Sequence, residues 1–284
     1  MLKSPFARVC LAATLVIGLV ASLSADHSWG SYHWARTENP AHLQVASNLT
    51  TAQWRAALGS ENTPLSAISD WNLSSVLELT LVTGNGTRNC KPTAGRIEVC
   101  NAKYGNNGWL GIAQIWITGG DHITQAVTKV NDTYFNMPTY NTPDWRQFVM
   151  CQEVGHDFGL DHQDETFNNA NYGSCMDYTN SPAGTNAATD NRHPNAHDYE
   201  ELEEMYSHLD TTNTASAARL PAAMPPAMGQ LPLDERTQWG QLVSQSANGR
   251  QEVYELDFGG GNKVVTHVFW ADPDADATRG RSNR

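Results

Sequence analysis

The sequence predicts an α+β fold, because short strand-like stretches come first along the chain and better-marked helical stretches follow them. The strand-like stretches are rich in β-branched residues and are bounded by Gly, Asn or Pro. They are residues 43–49, 76–82, 96–100 and 110–117. The helical stretches lie around residues 51–71, 142–158 and 199–208. We therefore expect one main domain over residues 26–210, in which a sheet packs against helices.

Local signals justify the two later helices. Thr142 can cap the second helix, Pro143 suits its first turn, and Asp144 is favoured at the positive end of the helix dipole. We expect this helix to end at Gly159, which can adopt the left-handed conformation that follows many helices. The third helix has Asn195 or Asp198 near its start and a run of apolar residues along one side.

The C-terminal part has a different composition. Residues 211–234 are rich in Ala, Pro, Thr and Met and are expected to form a linker. Residues 251–258 and 263–270 alternate polar with apolar side chains around a Gly-rich turn, which indicates a β-hairpin within a small segment over 235–271. The polar tail, residues 272–284, is expected to be disordered.

The N-terminus indicates export. Two basic residues, an apolar run and a small-residue stretch make residues 1–25 typical of a cleavable signal peptide, so we expect a secreted protein. The apolar run is short for a membrane-spanning helix, although an uncleaved anchor is the alternative. The net charge of −12 argues against nucleic acid and anionic membrane surfaces as partners. The oligomeric state stays open.

Four cysteines remain after signal cleavage, and in an oxidising compartment they predict two disulfides. Three pairings are possible. Cys90 with Cys100 would close a hairpin-like loop, and Cys151 with Cys175 would join the two motifs described next. A zinc site made of all four cysteines is disfavoured, because no Cys-x-x-Cys spacing occurs.

The chemistry is concentrated in residues 151–162. Gln152 and His156 are four residues apart, so on a helix their side chains project from one face and can meet at one metal ion. Glu153 lies beside that face, where its carboxylate could take a proton from water. A turn at Gly159 would bring His162 back as a third ligand and leave a fourth position open.

This segment resembles the signature of the metzincin zinc peptidases, His-Glu-x-x-His-x-x-Gly-x-x-His, with Gln152 in place of the first histidine. Residues 174–178 resemble the methionine turn of that clan, which makes Met176 the apolar floor of the site and Tyr178 a residue that supports the oxyanion. The resemblance extends over residues 30–210. It implies a mixed twisted sheet with an active-site helix and a closing helix, the latter at residues 198–206. Residues 109–116 resemble the edge strand that holds extended substrates in the matrixin branch.

The resemblance implies a secreted zinc endopeptidase that acts on a protein or peptide substrate. Zn²⁺ would be held by His156, His162 and Gln152, with Glu153 as the general base and Tyr178 beside the oxyanion. The alternative is a catalytically inactive, peptide-binding protein with the same fold. Binding of sugar by the many tryptophans is a weaker alternative. Other histidines of the domain could supply a further imidazole, and the candidates are His122, His193 and His197.

Overall fold

The computed structural model describes residues 27–60, 62–86, 90–215, 224–231 and 233–273. The predicted signal peptide lies outside these residues, as does almost all of the predicted disordered tail. In the described part of the chain no helix has the length and apolar character needed to cross a membrane.

Nine strands of the described residues form one mixed sheet. Their bounds are β1 His33–Trp34, β2 Ala41–Asn48, β3 Leu77–Thr83, β4 Arg96–Ala102, β5 Trp109–Thr118, β6 His122–Asn131, β7 Gln241–Gln245, β8 Gln251–Gly259 and β9 Asn262–Trp270. The strand order is β3-β2-β4-β6-β5-β9-β8-β7, and β1 pairs with β6. Strands β1 to β4 and β6 run parallel, whereas β5 and the C-terminal strands are antiparallel to their neighbours.

Five helices accompany this sheet in the described residues. They are α1 Ala52–Leu58, α2 Ala67–Trp71, α3 Asp132–Phe135, α4 Pro143–His156 and α5 Ala196–Met205. A mixed sheet with a few helices agrees with the predicted α+β class. All ten residues of β5 are buried, and α4 packs against the same strand. The central helix therefore lies directly over the middle of the sheet.

The best-predicted helix is α4. The Thr142 side chain accepts a hydrogen bond from the backbone N–H of Trp145 at 3.2 Å, and Pro143 occupies the first turn. The regular helix ends at His156, and Gly159 follows with a φ of 99°. The predicted cap and stop are confirmed. Helix α5 starts slightly earlier than predicted, because Asn195 caps it by accepting from the N–H groups of His197 and Asp198.

Two local predictions were wrong. Residues 51–71 form two short helices instead of one, because Gly59 has a φ of 65° and takes the chain out of α1. The run Gly119-Gly120-Asp121 predicts a surface loop at His122, but in the structure His122 begins β6. That strand lacks the alternation of polar and apolar residues that marks a half-buried strand, since nine of its ten residues are buried.

The hairpin predicted at residues 251–270 forms, and it extends the main sheet. Strand β9 pairs along β5 from Trp109 to Ile117. The expectation that residues 109–116 form an edge strand is therefore wrong, since the backbone groups that would define that edge are bonded to β9. On the face of the sheet that does not carry α4, Met228 is buried, and its carbonyl accepts a hydrogen bond from Trp116 Nε1 at 2.7 Å.

Candidate metal and catalytic site

Helix α4 and the turn after it bring the predicted site residues together. Gln152, Glu153 and His156 lie on the last two turns of the helix, and all three are buried. The positive φ of Gly159 reverses the chain and returns His162 to the helix. The rings of His156 and His162 then lie 4.5 Å apart between centroids, at an interplanar angle of 78°.

The two histidines are oriented by contacts through Nδ1. His156 Nδ1 lies 2.8 Å from the carbonyl oxygen of Leu160, so its Nε2 is directed away from that hydrogen bond. His162 Nδ1 lies 3.2 Å from Asp161 Oδ1, a proximity without hydrogen-bond geometry, and its Nε2 has no hydrogen-bond partner among the described residues. Histidines that bind metals are held as His156 is, with one nitrogen bonded to a carbonyl or carboxylate. Burial lowers the pKa of His156 well below its usual range, which favours the neutral form that can ligate a metal.

Gln152 is oriented by the methionine turn. Its Nε2 donates a hydrogen bond to the carbonyl oxygen of Cys175 at 3.0 Å, which leaves its buried Oε1 without a partner in the described structure. The predicted Cys151–Cys175 disulfide forms beside this contact, and the Cys90–Cys100 disulfide forms as well. The sequence had left three pairings open, and the structure contains this one.

Helix α4 and the methionine turn also approach each other closely at Gly155, a residue that was not predicted from the sequence. A Cβ atom at Gly155 would lie 2.7 Å from Met176 Sδ and 2.8 Å from a ring carbon of Trp71. Only a glycine leaves space for this contact. Met176 is completely buried there, below the segment that carries the histidines.

Glu153 has an unusual environment for a carboxylate. Both of its oxygens are buried, and neither has a hydrogen-bond partner in the described residues. Burial raises its pKa well above the usual range, and the nearby Asp157 adds to this effect. A buried carboxyl group with a strongly shifted pKa and no hydrogen-bond partner is a candidate functional residue.

Tyr178 lies beside His162, as the resemblance implies. The two rings are 4.5 Å apart, and on its other side Tyr178 stacks on Phe167 at 4.6 Å. The residue is buried, and burial raises the pKa of its phenol well above the usual range, with Glu153 as the next contributor. The phenol therefore stays protonated and can act as a hydrogen-bond donor.

His267 of β9 is a further histidine at this site that the sequence reasoning missed. Its ring stacks on His156 at 4.1 Å with an interplanar angle of 16°, and lies 6.2 Å from the ring of His162. Neither of its nitrogens has a partner in the described part of the chain, and burial lowers its pKa to about 4. The alternation of the predicted strand could have revealed it, because His267 shares one face with the apolar residues Val265 and Phe269.

The three histidines proposed from the sequence as a further imidazole are engaged elsewhere. His122 Nε2 lies 3.2 Å from Asp210 Oδ1, and His193 Nδ1 lies 2.7 Å from Asp70 Oδ2. The His197 ring contacts that of His27 at a centroid distance of 4.7 Å. None of these contacts involves Gln152, His156 or His162.

Strand β9 also closes the site. His267 is paired with Ala113 of β5 in the sheet register, and Phe269 is paired with Gly111. The Phe269 ring contacts Tyr178 at 4.9 Å and Phe148 of α4 at 5.9 Å, so it fills the space between the helix and the methionine turn. While β9 is in place, no other chain segment can pair with that side of β5.

The donor set fits a divalent metal such as zinc. Helix α4 and the turn after it supply the two imidazoles, an amide oxygen and a carboxylate. Gln152 Oε1, both Glu153 oxygens and His162 Nε2 are buried without a hydrogen-bond partner in the described residues. Two other groups of the described residues have three ligand atoms within 4.8 Å of one another: His33, His208 and Asp210, and Asp161, His162 and Glu165. Neither His267 nor Glu153 forms such a group with His156 and His162.

Comparison of the sequence with known proteins gives no further assignment. The chain matches no protein-family model and no curated protein.

Proposed function

We propose that the chain is a secreted, zinc-dependent endopeptidase of the metzincin kind, with its site at Gln152, Glu153, His156 and His162. The observation that carries this proposal is the Glu153 carboxylate, which is buried without a partner in the described residues and lies on the helix that bears the ligands. A merely structural site has no need of a buried, unpaired carboxylate, whereas a general base must keep its oxygens free.

The proposed reaction is hydrolysis of a peptide bond in one step, without an acyl-enzyme. Zinc, when bound by His156, His162 and Gln152, supplies a Lewis acid that polarises the peptide carbonyl and acidifies water. Glu153 takes a proton from the attacking water and gives it to the leaving amine. Tyr178 donates a hydrogen bond to the developing oxyanion. A cation next to Glu153 would also favour its ionised form, against the effect of burial.

The substrate in this proposal is a protein or peptide segment in extended conformation that pairs with β5. Such a segment would take the place of β9, so the described arrangement corresponds to a closed form. In this form Phe269 occupies the space between α4 and the methionine turn, among the rings of Phe148, Phe167 and Tyr178. An aromatic or large apolar side chain is therefore the kind of residue that this space accepts.

The test is the isosteric change Glu153→Gln. We expect peptide hydrolysis to fall by at least about a hundredfold, because general bases contribute factors of this size, while zinc content stays unchanged. Zinc would be measured by atomic emission and turnover with an unfolded protein substrate. Glu200→Gln makes the same change at an exposed position of α5 and should alter neither quantity. Equal turnover in the wild type and in Glu153→Gln would rule out the proposed mechanism.

The same experiment addresses the alternative of an inactive, peptide-binding protein. If the wild type binds zinc but hydrolyses nothing, and Gln152→His restores hydrolysis, the native chain is a binding protein on a peptidase fold. In the described arrangement β9 fills the groove beside β5, so β9 must move before a peptide binds, whether or not the protein cuts that peptide. The position of β9 therefore does not favour a binding protein over an enzyme.

A further inference from the structure

Three histidines converge on one carboxylate at a place remote in sequence from α4. Asp210 Oδ1 lies 3.5 Å from His33 Nε2, 3.2 Å from His122 Nε2 and 3.4 Å from His208 Nε2. The ligand atoms of His33, His208 and Asp210 all lie within 4.8 Å of one another. We propose that His33, His208 and Asp210 hold a second, structural metal site suited to zinc, with His122 beside them as the candidate fourth ligand. This proposal is independent of the proposed peptidase function.

The distances match the edges of a tetrahedral ligand shell. Zinc binds imidazole nitrogen and carboxylate oxygen at about 2.0–2.1 Å, and a tetrahedron with bonds of this length has ligand-to-ligand edges of roughly 3.3–3.4 Å. The three nitrogen-to-oxygen distances at Asp210 lie around this value. The described arrangement supplies three of the four ligands of a structural zinc site, and a small movement of His122, which contacts the same Asp210 oxygen, would supply the fourth.

Hydrogen bonds orient the most buried members of the set. His33 Nδ1 lies 2.7 Å from the carbonyl oxygen of Ser31, and Asp210 Oδ2 accepts from the backbone N–H of Arg36 at 2.9 Å. Both nitrogens of His33 therefore face an acceptor oxygen, that of Ser31 at Nδ1 and that of Asp210 at Nε2, with side-chain exposures of 4% and 7% for His33 and Asp210. A metal ion between Nε2 and Asp210 Oδ1 would satisfy both atoms of the second contact without a proton there.

The site would be closed from the solvent side by the two less buried histidines. The side chains of His122 and His208 are 29% and 54% exposed, so an ion can enter past them. His122 Nε2 also lies 3.6 Å from Asp121 Oδ1, a second carboxylate at the rim. The ligands come from β1, from the start of β6 and from the segment after α5. A metal there would join three parts of the chain that are far apart in sequence.

Cation-free ion pairs are the competing explanation, and zinc binding distinguishes the two. The test uses the full chain carrying His156→Ala, which removes the metal of the proposed active site. We expect this variant to retain one zinc ion per chain in isothermal titration with zinc alone. Adding His208→Ala or Asp210→Asn should lower zinc affinity at least about tenfold, since each removes a ligand. In the chain with native His156, the same substitutions should reduce the number of bound zinc ions by one.

The matched control is His42→Ala. His42 also pairs with a carboxylate, Glu78 Oε2 at 3.2 Å, but both side chains are half exposed and belong to neither of the three-residue ligand groups found in the described residues. Its removal should leave zinc affinity unchanged. His208 is half exposed, and Asp210→Asn preserves side-chain shape, so both variants should fold, which circular dichroism would verify. Absence of zinc from His156→Ala, or equal zinc affinity with and without the His208 and Asp210 changes, would overturn the proposal. Loss of peptide hydrolysis in Glu153→Gln bears only on the proposed active site at α4.

Discussion

Gly111 leaves the space that the Glu153 carboxylate occupies. A Cβ atom at this position of β5 would lie 2.3 Å from Glu153 Oε1 and 2.8 Å from Val149 Cγ1. We therefore predict that Gly111→Ala displaces the carboxylate and lowers turnover about a hundredfold, which is the lower end of what a general base contributes. Zinc content should not change, because no metal ligand is touched.

A double variant provides the control for this prediction. If Gly111→Ala acts through Glu153, then Gly111→Ala combined with Glu153→Gln should be no slower than Glu153→Gln alone. Kinetic measurement of all three variants decides the point. Additive losses would show that the alanine damages the site by another route, such as a shift of α4 at Val149.

At position 152 this sequence differs from the metzincin signature, which has a histidine where this chain has Gln152. An amide oxygen donates less charge than imidazole, so we predict that Gln152→His binds zinc at least about tenfold more tightly, as a stronger ligand should. The substitution also removes the hydrogen bond to the carbonyl of Cys175. Competition with a chelator of known affinity would measure the change. Equal affinities in the two proteins would mean that residue 152 does not ligate the metal.

The sequence predicted those site residues whose positions depend on local spacing. Gln152, Glu153 and His156 share a helix, and one glycine turn brings His162 to them, so a few residues of context were enough. Gly111 and His267 could not be placed in this way. Each meets the site across a sheet register, and that register is set by pairing between strands far apart in the chain.

At the scale of elements, α4 was predicted by local signals, whereas the position of the C-terminal hairpin depends on pairing between distant strands. The cap at Thr142 and the stop at Gly159 are local signals, and both were confirmed. The hairpin was predicted from its own alternation and turn, but its docking on β5 was not. Strand β6 was missed because burial of both faces removes the alternation that marks a strand.

The docking of β9 makes a testable prediction about access to the site. Phe269 fixes this strand to α4 through ring contacts with Phe148 and Tyr178. Truncation of a buried phenylalanine costs about 3–5 kcal/mol, and here that loss falls on the contact between hairpin and helix. We predict that the backbone amide hydrogens of β9 exchange with solvent faster in Phe269→Ala than in the wild type. We also predict that this variant hydrolyses peptides faster. Hydrogen exchange and initial rates would be measured on the same samples.

The control for Phe269→Ala is Val268→Ala on the opposite face of β9. Val268 packs with a group of buried residues that includes Trp116 and Met228 and no residue of α4. Its truncation should therefore loosen the strand without emptying the space beside Tyr178. Faster exchange of β9 without faster hydrolysis in Phe269→Ala would contradict the role of the strand as the barrier to substrate.

At the scale of the whole molecule, contacts between distant parts of the chain hold the described structure together. Thr214 bonds with Ala35 in both directions, since its backbone N–H donates to the Ala35 carbonyl and its hydroxyl accepts from the Ala35 N–H, both at 2.9 Å. Lys129 in the middle of β6 is buried, and its Nζ lies 2.6 Å from Asp234 Oδ1. Such contacts follow from the complete topology and leave no mark in local sequence, so neither was predicted.

If the two proposed sites hold metal, its removal should destabilise the molecule as a whole. A ligand that binds only the folded state adds about 2.7 kcal/mol at a concentration of about 100 times its Kd. For a domain of this size each kcal/mol moves the midpoint of thermal unfolding by about 2–4 °C, so chelation should lower it by about 5–10 °C for each site. Calorimetry of the wild type with zinc and with chelator would measure the total. The part that belongs to the second site should disappear in His208→Ala and persist in His42→Ala, because His208 contacts Asp210 whereas His42 contacts Glu78. A chelator effect that is the same in both variants would place all of the stabilising zinc at α4.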